Sequence, residues 1–158
     1  MRLPEPVNTE RGEVFASVTS GGVLYFSRSG GSGAARRSEL LRAEPTPGAG
    51  YRIEPVVLPP GSPASPGNPL IGPDESYLLL TARARPGQDS DLYLTRRRED
   101  GTWSEPVVLG PEINTELAEF APSVSPDGKY LFFARMKRGS DGLADSENVM
   151  VIEWPASM

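Results

Sequence analysis

Apolar runs of four or five residues, each followed by a polar, Gly-rich stretch, recur along the chain. The strongest are Val23-Leu24-Tyr25-Phe26, Tyr77-Leu78-Leu79-Leu80-Thr81 and Tyr130-Leu131-Phe132-Phe133. Their length suits strands, and their unbroken apolarity predicts burial on both faces, as in the middle of a packed sheet. A turn enters each run, at Ser20-Gly21-Gly22, Pro73-Asp74-Glu75-Ser76 and Pro126-Asp127-Gly128. There Pro presets φ and Gly supplies φ > 0. Another strand precedes each turn, at 14–19, a degraded 68–72, and 120–125. After each run a polar loop (29–37, 83–90, 137–147) leads to a third strand, at 39–41, 91–94 and 148–152. A fourth strand closes the period at 51–58 and 103–109, after turn residues such as Glu99-Asp100-Gly101.

These units are copies. Asn8-Thr9-Glu10 recurs 106 residues later as Asn114-Thr115-Glu116, and the same step carries Glu13 to Glu119, Val18 to Val124 and Gly22 to Gly128. A step of 53 carries Pro73-Asp74 to Pro126-Asp127 and Tyr77 to Tyr130. Glu54-Pro55-Val56-Val57-Leu58 returns verbatim as Glu105-Pro106-Val107-Val108-Leu109. A period near fifty residues indicates a propeller or solenoid. The expected architecture is an all-β, β-propeller fragment of about three four-stranded antiparallel blades, over 8–58, 61–109 and 114–154. Residues 3–7 match 109–113, so the N-terminus reads as the tail of a preceding outer strand. The third period stops after its third strand, at Trp154, so the last blade lacks its outer strand. A β-sandwich explains the strand density but not the period.

Composition narrows the function classes. With 17 Gly, 17 Pro and 37% hydrophobic residues, short strands and turns are favoured over long helices, which both residues break. A formal charge of −5 argues against a nucleic-acid partner, which needs a basic surface to release counterions. No apolar run approaches the ~20 residues of a membrane span. Met1 to Pro6 contain no apolar signal core, so the chain reads either as cytosolic or as having its true start upstream. There is no Cys and no His. That removes disulfides, thiolate zinc sites, Cys nucleophiles, the Ser-His-Asp triad and the commonest metal ligand, and no cofactor or metal is expected.

The stretch Glu119-Phe120-Ala121-Pro122-Ser123-Val124-Ser125-Pro126-Asp127-Gly128-Lys129-Tyr130-Leu131-Phe132-Phe133, with strands of the Asp91-Leu92-Tyr93 type, resembles the TolB-like, WD40-like β-propeller repeats. Those read roughly as Ser-Pro-Asp-Gly-Lys-x-Leu-x-Phe and then Asp-Ile-Tyr. The resemblance spans nearly the whole chain. It implies a ring of about six blades of which this is the C-terminal half, and it suggests a periplasmic or extracellular location. The chain departs from the pattern at three places. Pro66 stands where Glu13 and Glu119 stand, Asn148-Val149-Met150 replaces Asp-Ile-Tyr, and the first turn has no Pro-Asp.

Several residue sets invite a chemical reading. Glu13 and Glu119, at the start of innermost strands, offer two carboxylates for a cation or for acid and base work, or each ties its own blade together. Lys129 and Lys137 are the only lysines available to a Ser-Lys pair, and Lys129 reads as a solvated turn flank. The loop 140–148 carries oxygen ligands for Ca²⁺ without the EF-hand register, and a solvated acidic loop is its plainer reading. Arg96-Arg97-Arg98, with Arg36, Arg37, Arg83 and Arg85, is the basic concentration, suited to an anionic partner or to ion pairs with the excess acid. Trp103 and Trp154 read as apolar anchors at blade edges.

The expected function is a non-catalytic propeller module that binds a protein or small ligand at its turn and loop surface. The alternatives are part of a propeller-type lyase or hydrolase whose catalytic residues lie in a missing portion, or a truncated gene product without independent function. Three blades leave an apolar face at each end, so the chain is expected either to be truncated or to form a homodimer that completes a ring as three plus three.

Overall fold

The computed structural model describes residues 2–30, 37–48, 50–84, 89–141 and 143–154. Within them the chain folds into eleven strands in three antiparallel sheets. Blade one is β1 (Gly12–Val18), β2 (Leu24–Gly30), β3 (Arg37–Thr46) and β4 (Gly50–Pro55). Blade two is β5 (Ala64–Ile71), β6 (Tyr77–Arg83), β7 (Asp91–Arg96) and β8 (Val107–Val108). Blade three is β9 (Ala118–Val124), β10 (Tyr130–Arg138) and β11 (Ala144–Glu153). Strands pair in chain order within each sheet. The fold is all-β, a β-propeller fragment of three antiparallel blades, the last with no outer strand among the described residues.

Some strands outrun the bounds that apolarity sets. β10 and β11 stay paired from Tyr130↔Glu153 out to Arg138↔Ala144, across residues expected to form a loop. An ion pair between Lys137 and Asp145 at 3.2 Å ties this hydrophilic end, so charge replaces apolarity as the pairing signal. β5 begins at Ala64, not at 68. The expected outer strand of blade two is instead broken: Arg97↔Trp103 is a lone bridge, and only Val107 and Val108 pair with β7.

β1, β5 and β9 kink at equivalent residues with positive φ, Phe15 (56°), Asn68 (46°) and Ala121 (51°). The pairing register slips around each. Such bulges bend the innermost strands, and Asn tolerates the left-handed conformation better than Phe or Ala does.

Alternation along the middle strands gives each blade a leading and a trailing apolar face. The leading face carries Leu24 and Phe26, Leu78 and Leu80, or Leu131 and Phe133; the trailing face carries Tyr25, Leu79 or Phe132. Tyr25 and Leu40 of blade one pack on Leu78, Leu80 and Tyr93 of blade two. Leu79, Leu92 and Leu94 of blade two pack on Leu131 and Phe133 of blade three. β6 is therefore buried on both faces, as its apolar run predicts. β10 is not: Leu131 and Phe133 are buried while Tyr130 and Phe132 are exposed, because no further blade covers its trailing face.

Opposite Leu92 on β6 stands Thr81. In blade one the same position is Ser27, whose Oγ accepts the Asn68 N–H at 3.1 Å. Thr81 Oγ1 is buried and has no such partner among the described residues. A buried hydroxyl without a partner costs about 1–3 kcal/mol. Thr81→Val is expected to raise stability by about 1 kcal/mol in urea unfolding, and a loss of stability would show that the hydroxyl is satisfied.

Candidate functional site

The two carboxylates singled out by sequence are each consumed within their own blade. Glu119 is fully buried. Its Oε1 accepts Arg135 Nε at 2.8 Å and Thr115 Oγ1 at 2.6 Å, and its Oε2 accepts the Thr115 N–H at 3.1 Å. Arg135 also donates to the Ile113 carbonyl at 2.9 Å and lies over the Phe133 ring at 5.6 Å. Blade one repeats the lock. Glu13 Oε1 accepts Thr9 Oγ1 at 2.6 Å and Arg28 Nε at 2.9 Å, while Arg28 donates to the Val7 carbonyl at 3.1 Å and lies over Phe26 at 5.5 Å. Burial pushes the Glu13 carboxyl up, but hydrogen bonds from Thr9 and Arg28 outweigh it and hold the group below its ordinary range.

Blade two loses both members. Pro66 takes the acid's place, and Ala82, paired with Asp91 as Arg135 is with Asn148, takes the arginine's. Losing one member of a buried ion pair costs about 3–5 kcal/mol, whereas replacing both by apolar groups is close to neutral. In blade three, Glu119→Leu is therefore expected to cost about 3–5 kcal/mol and Glu119→Leu/Arg135→Leu distinctly less, measured by denaturant unfolding. Equal losses in the two variants would contradict a paired lock.

A third carboxylate, read from sequence only as a turn residue, forms a polar cluster that spans two blades. Glu75 occupies the turn position that Gly22 and Gly128 hold in the other blades, and it takes positive φ (62°) beside their 82° and 73°. Its Oε1 accepts Tyr25 Oη at 2.7 Å, Arg42 Nε at 2.8 Å and Arg97 at 3.0 Å, which joins blade one to blade two. Arg42 also donates to Glu54 at 2.9 Å. Tyr25 and Arg42 hold the positions of Leu79 and Leu94, so a polar network stands here where the next interface has two leucines. Tyr25 meets Trp103 edge-on at 6.3 Å, and Arg97 lies over Trp103 at 5.7 Å. The signal was present in the sequence: a Glu where the repeated turn takes Gly.

Burial pushes the Glu75 carboxyl up, but hydrogen bonds from Arg42 and Tyr25 and the charges of Arg42 and Arg97 outweigh it and hold it at about 2. Burial and the Glu75 carboxylate push the Tyr25 hydroxyl well up. The depressed pKa fixes the sign of the pH effect. The contribution of Glu75 is fully present above its ordinary value of 4.5 and is lost as pH falls from there through about 2. Asp91 acts oppositely, since burial and nearby Glu119 and Asp89 raise its pKa. The informative quantity is thus the difference between wild type and Glu75→Gln, expected to shrink across that acid window. Glu75→Ala and Glu75→Gly both lose the network, but the glycine variant is expected to stay about 1 kcal/mol more stable because φ is positive. Equal stability of the two would remove the backbone-strain account.

Two clefts open between blades at the end that carries these turns. The first, of about 460 Å³, lies between blades one and two and is lined by Arg42, Glu54, Val57, Arg97, Arg98 and Trp103, among others. The second, of about 540 Å³, lies between blades two and three, with Pro73, Tyr77, Arg96, Pro126 and Trp154 in its wall. The arginine triplet is thereby divided. Arg96 ends β7 and faces the second cleft. Arg97 pairs with Glu75, and Arg98 donates to the Trp103 carbonyl at 2.6 Å. Trp103 and Trp154 are both buried, as anchors between blades.

The other candidates are dispersed. Lys129 is exposed and lies 3.7 Å from Asp127 in its own turn. Of the acidic loop, Ala144 to Asn148 belong to β11, and Asp141 accepts the Leu143 N–H at 3.0 Å. Among the described residues no group of three or more acidic side chains could hold a metal ion. Arg36 and Arg85, with most of the β2–β3 and β6–β7 loops expected to contribute surface, lie outside the described residues.

The linkers carry one further device. Asn114 Oδ1 accepts the Leu92 N–H at 2.8 Å, and its Nδ2 donates to the carbonyls of Leu92 and Leu109, each at 2.9 Å. The side chain thus sews the approach to blade three onto β7 of blade two. Asn8, its equivalent, donates to the Leu3 carbonyl at 2.8 Å.

No protein-family model matches the chain, and no curated protein does.

Proposed function

We propose that this chain is a non-catalytic binding module of the TolB-like, WD40-like propeller class. It takes a carboxylate-bearing protein segment in the cleft between blades one and two. The observation that carries this reading is the composition of that cleft, where Arg42, Arg97 and Arg98 line the wall beside Glu54, and Glu75 holds the guanidinium groups of Arg42 and Arg97 in place. Around them lie apolar surfaces of Val57, Leu58 and Trp103. Guanidinium groups give planar, bidentate recognition of carboxylates, and apolar walls bury the rest of a ligand. The cleft floor is already ordered by Glu75, so little side-chain entropy is lost on binding. The absence of His and Cys supports a binding rather than a chemical role.

Each cleft contains one tryptophan, which makes the site assignable. In a Trp154→Phe variant, Trp103 is the only remaining reporter. Titration with a Glu-rich dodecapeptide is expected to change Trp103 emission saturably, and the Gln-for-Glu peptide should bind at least about tenfold more weakly. Val57 is exposed on the cleft rim, so Val57→Glu should weaken binding of the acidic peptide without unfolding the chain. No saturable response to either peptide would remove the cleft as a binding site, and equal binding of both would remove the carboxylate preference.

A further inference from the structure

The trailing face of blade three is apolar and uncovered. Phe132 is 38% exposed, Val151 57% and Val149 81%, whereas their equivalents in blade two, Leu79, Leu94 and Leu92, are 0%, 9% and 0% exposed. The equivalence is fixed by pairing, since Leu79↔Leu94 and Thr81↔Leu92 match Phe132↔Val151 and Ala134↔Val149. What covers blade two's face is known: Leu131 and Phe133, with Ile113 and Asn114 leading into β9.

The same chain carries a second copy of that cover. Leu24, Phe26, Val7 and Asn8 of blade one repeat Leu131, Phe133, Ile113 and Asn114 in type and place. Val7 is already packed on Phe26 and Leu41, as Ile113 is on the equivalent face of blade three, so this leading face is preformed. Val18, the counterpart of the partly buried Val124, is 57% exposed. An uncovered trailing face thus stands at one end of the molecule, and at the other a leading face of matching design, open at Val18 and partly open at Leu24, with Phe26 already buried beneath Val7.

We propose that two copies of this chain associate head to tail, each seating its blade one on the trailing face of the other's blade three. Val18 and Leu24 of one copy then cover Phe132, Val149 and Val151 of the second copy. The Asn8 amide clamps the N–H and carbonyl of Val149 in the second copy, as Asn114 clamps Leu92. The Glu13 N–H reaches the Glu147 carbonyl of the second copy, as the Glu119 N–H reaches Ser90 at 2.8 Å. Two such contacts close a six-blade ring with both ends satisfied, and this inference is independent of what the cleft binds.

Light scattering across the micromolar range, with the wild-type chain, is expected to give a particle of about twice 17.0 kDa. Val18→Asp and Phe132→Asp each place a carboxylate in both contacts at an exposed position, so each variant should be a folded monomer, with Kd raised at least about a hundredfold. The decisive measurement mixes the two variants. Head-to-tail seating leaves one unmodified contact in the mixture, so a one-to-one complex should return, whereas packing of like faces restores nothing. A wild-type monomer at every concentration would overturn the proposal, its end faces then belonging to some other sheet. A dimer that neither substitution breaks, or no complex on mixing, would overturn it equally.

Discussion

Each blade in this chain is apolar on both faces, and the two faces of blade two are covered by the blades on either side. Burial of the middle strands contributes most of what holds the molecule together, at about 25 cal/mol per Å² of apolar surface removed from water. Polar groups are consequently displaced to the ends of the strands. At one end stand the Glu–Arg locks of blades one and three. At the other end, among the turns, stand Glu75 and its partners. The sheets are dry slabs with polar fastenings at top and bottom, and the binding surface we propose is built on one of those fastenings.

The architecture was legible because it is written in two independent periodicities, alternation along a strand and recurrence near fifty residues. The runs at Tyr77 and Tyr130 located the starts of β6 and β10 to the residue. Recurrence also set Glu13 and Glu119 apart as a pair, since they repeat with the fold and are locked alike. Apolarity failed where strands continue on charge, at the Lys137–Asp145 end of β10 and β11, and where pairing shrinks to two residues in β8. The hub at Glu75 was hidden for another reason. Its partners Tyr25, Arg42 and Arg97 come from three separate segments, which no local pattern joins. Only the misfit of a Glu in a glycine position betrayed it.

The repeats also show how one scaffold diverges. Blade two gave up an acid and its arginine together, with Pro66 and Ala82 standing in their places. At its turn it accepted a strained backbone in exchange for a carboxylate that three side chains share. Both interfaces of blade two are apolar, and the one with blade one adds a charged network where the other has leucines. A change at the turn of blade two is therefore felt mainly by blade one.

The linker before β9 has a mechanical meaning as well. Because Asn114 grips both backbone groups of Leu92, the segment that formally belongs to blade three is fastened to blade two. A pull on blade three reaches those hydrogen bonds before it reaches the covalent path back to β8. The seam between these two blades lies beyond Asn114, the residue with which the repeat itself opens blade three.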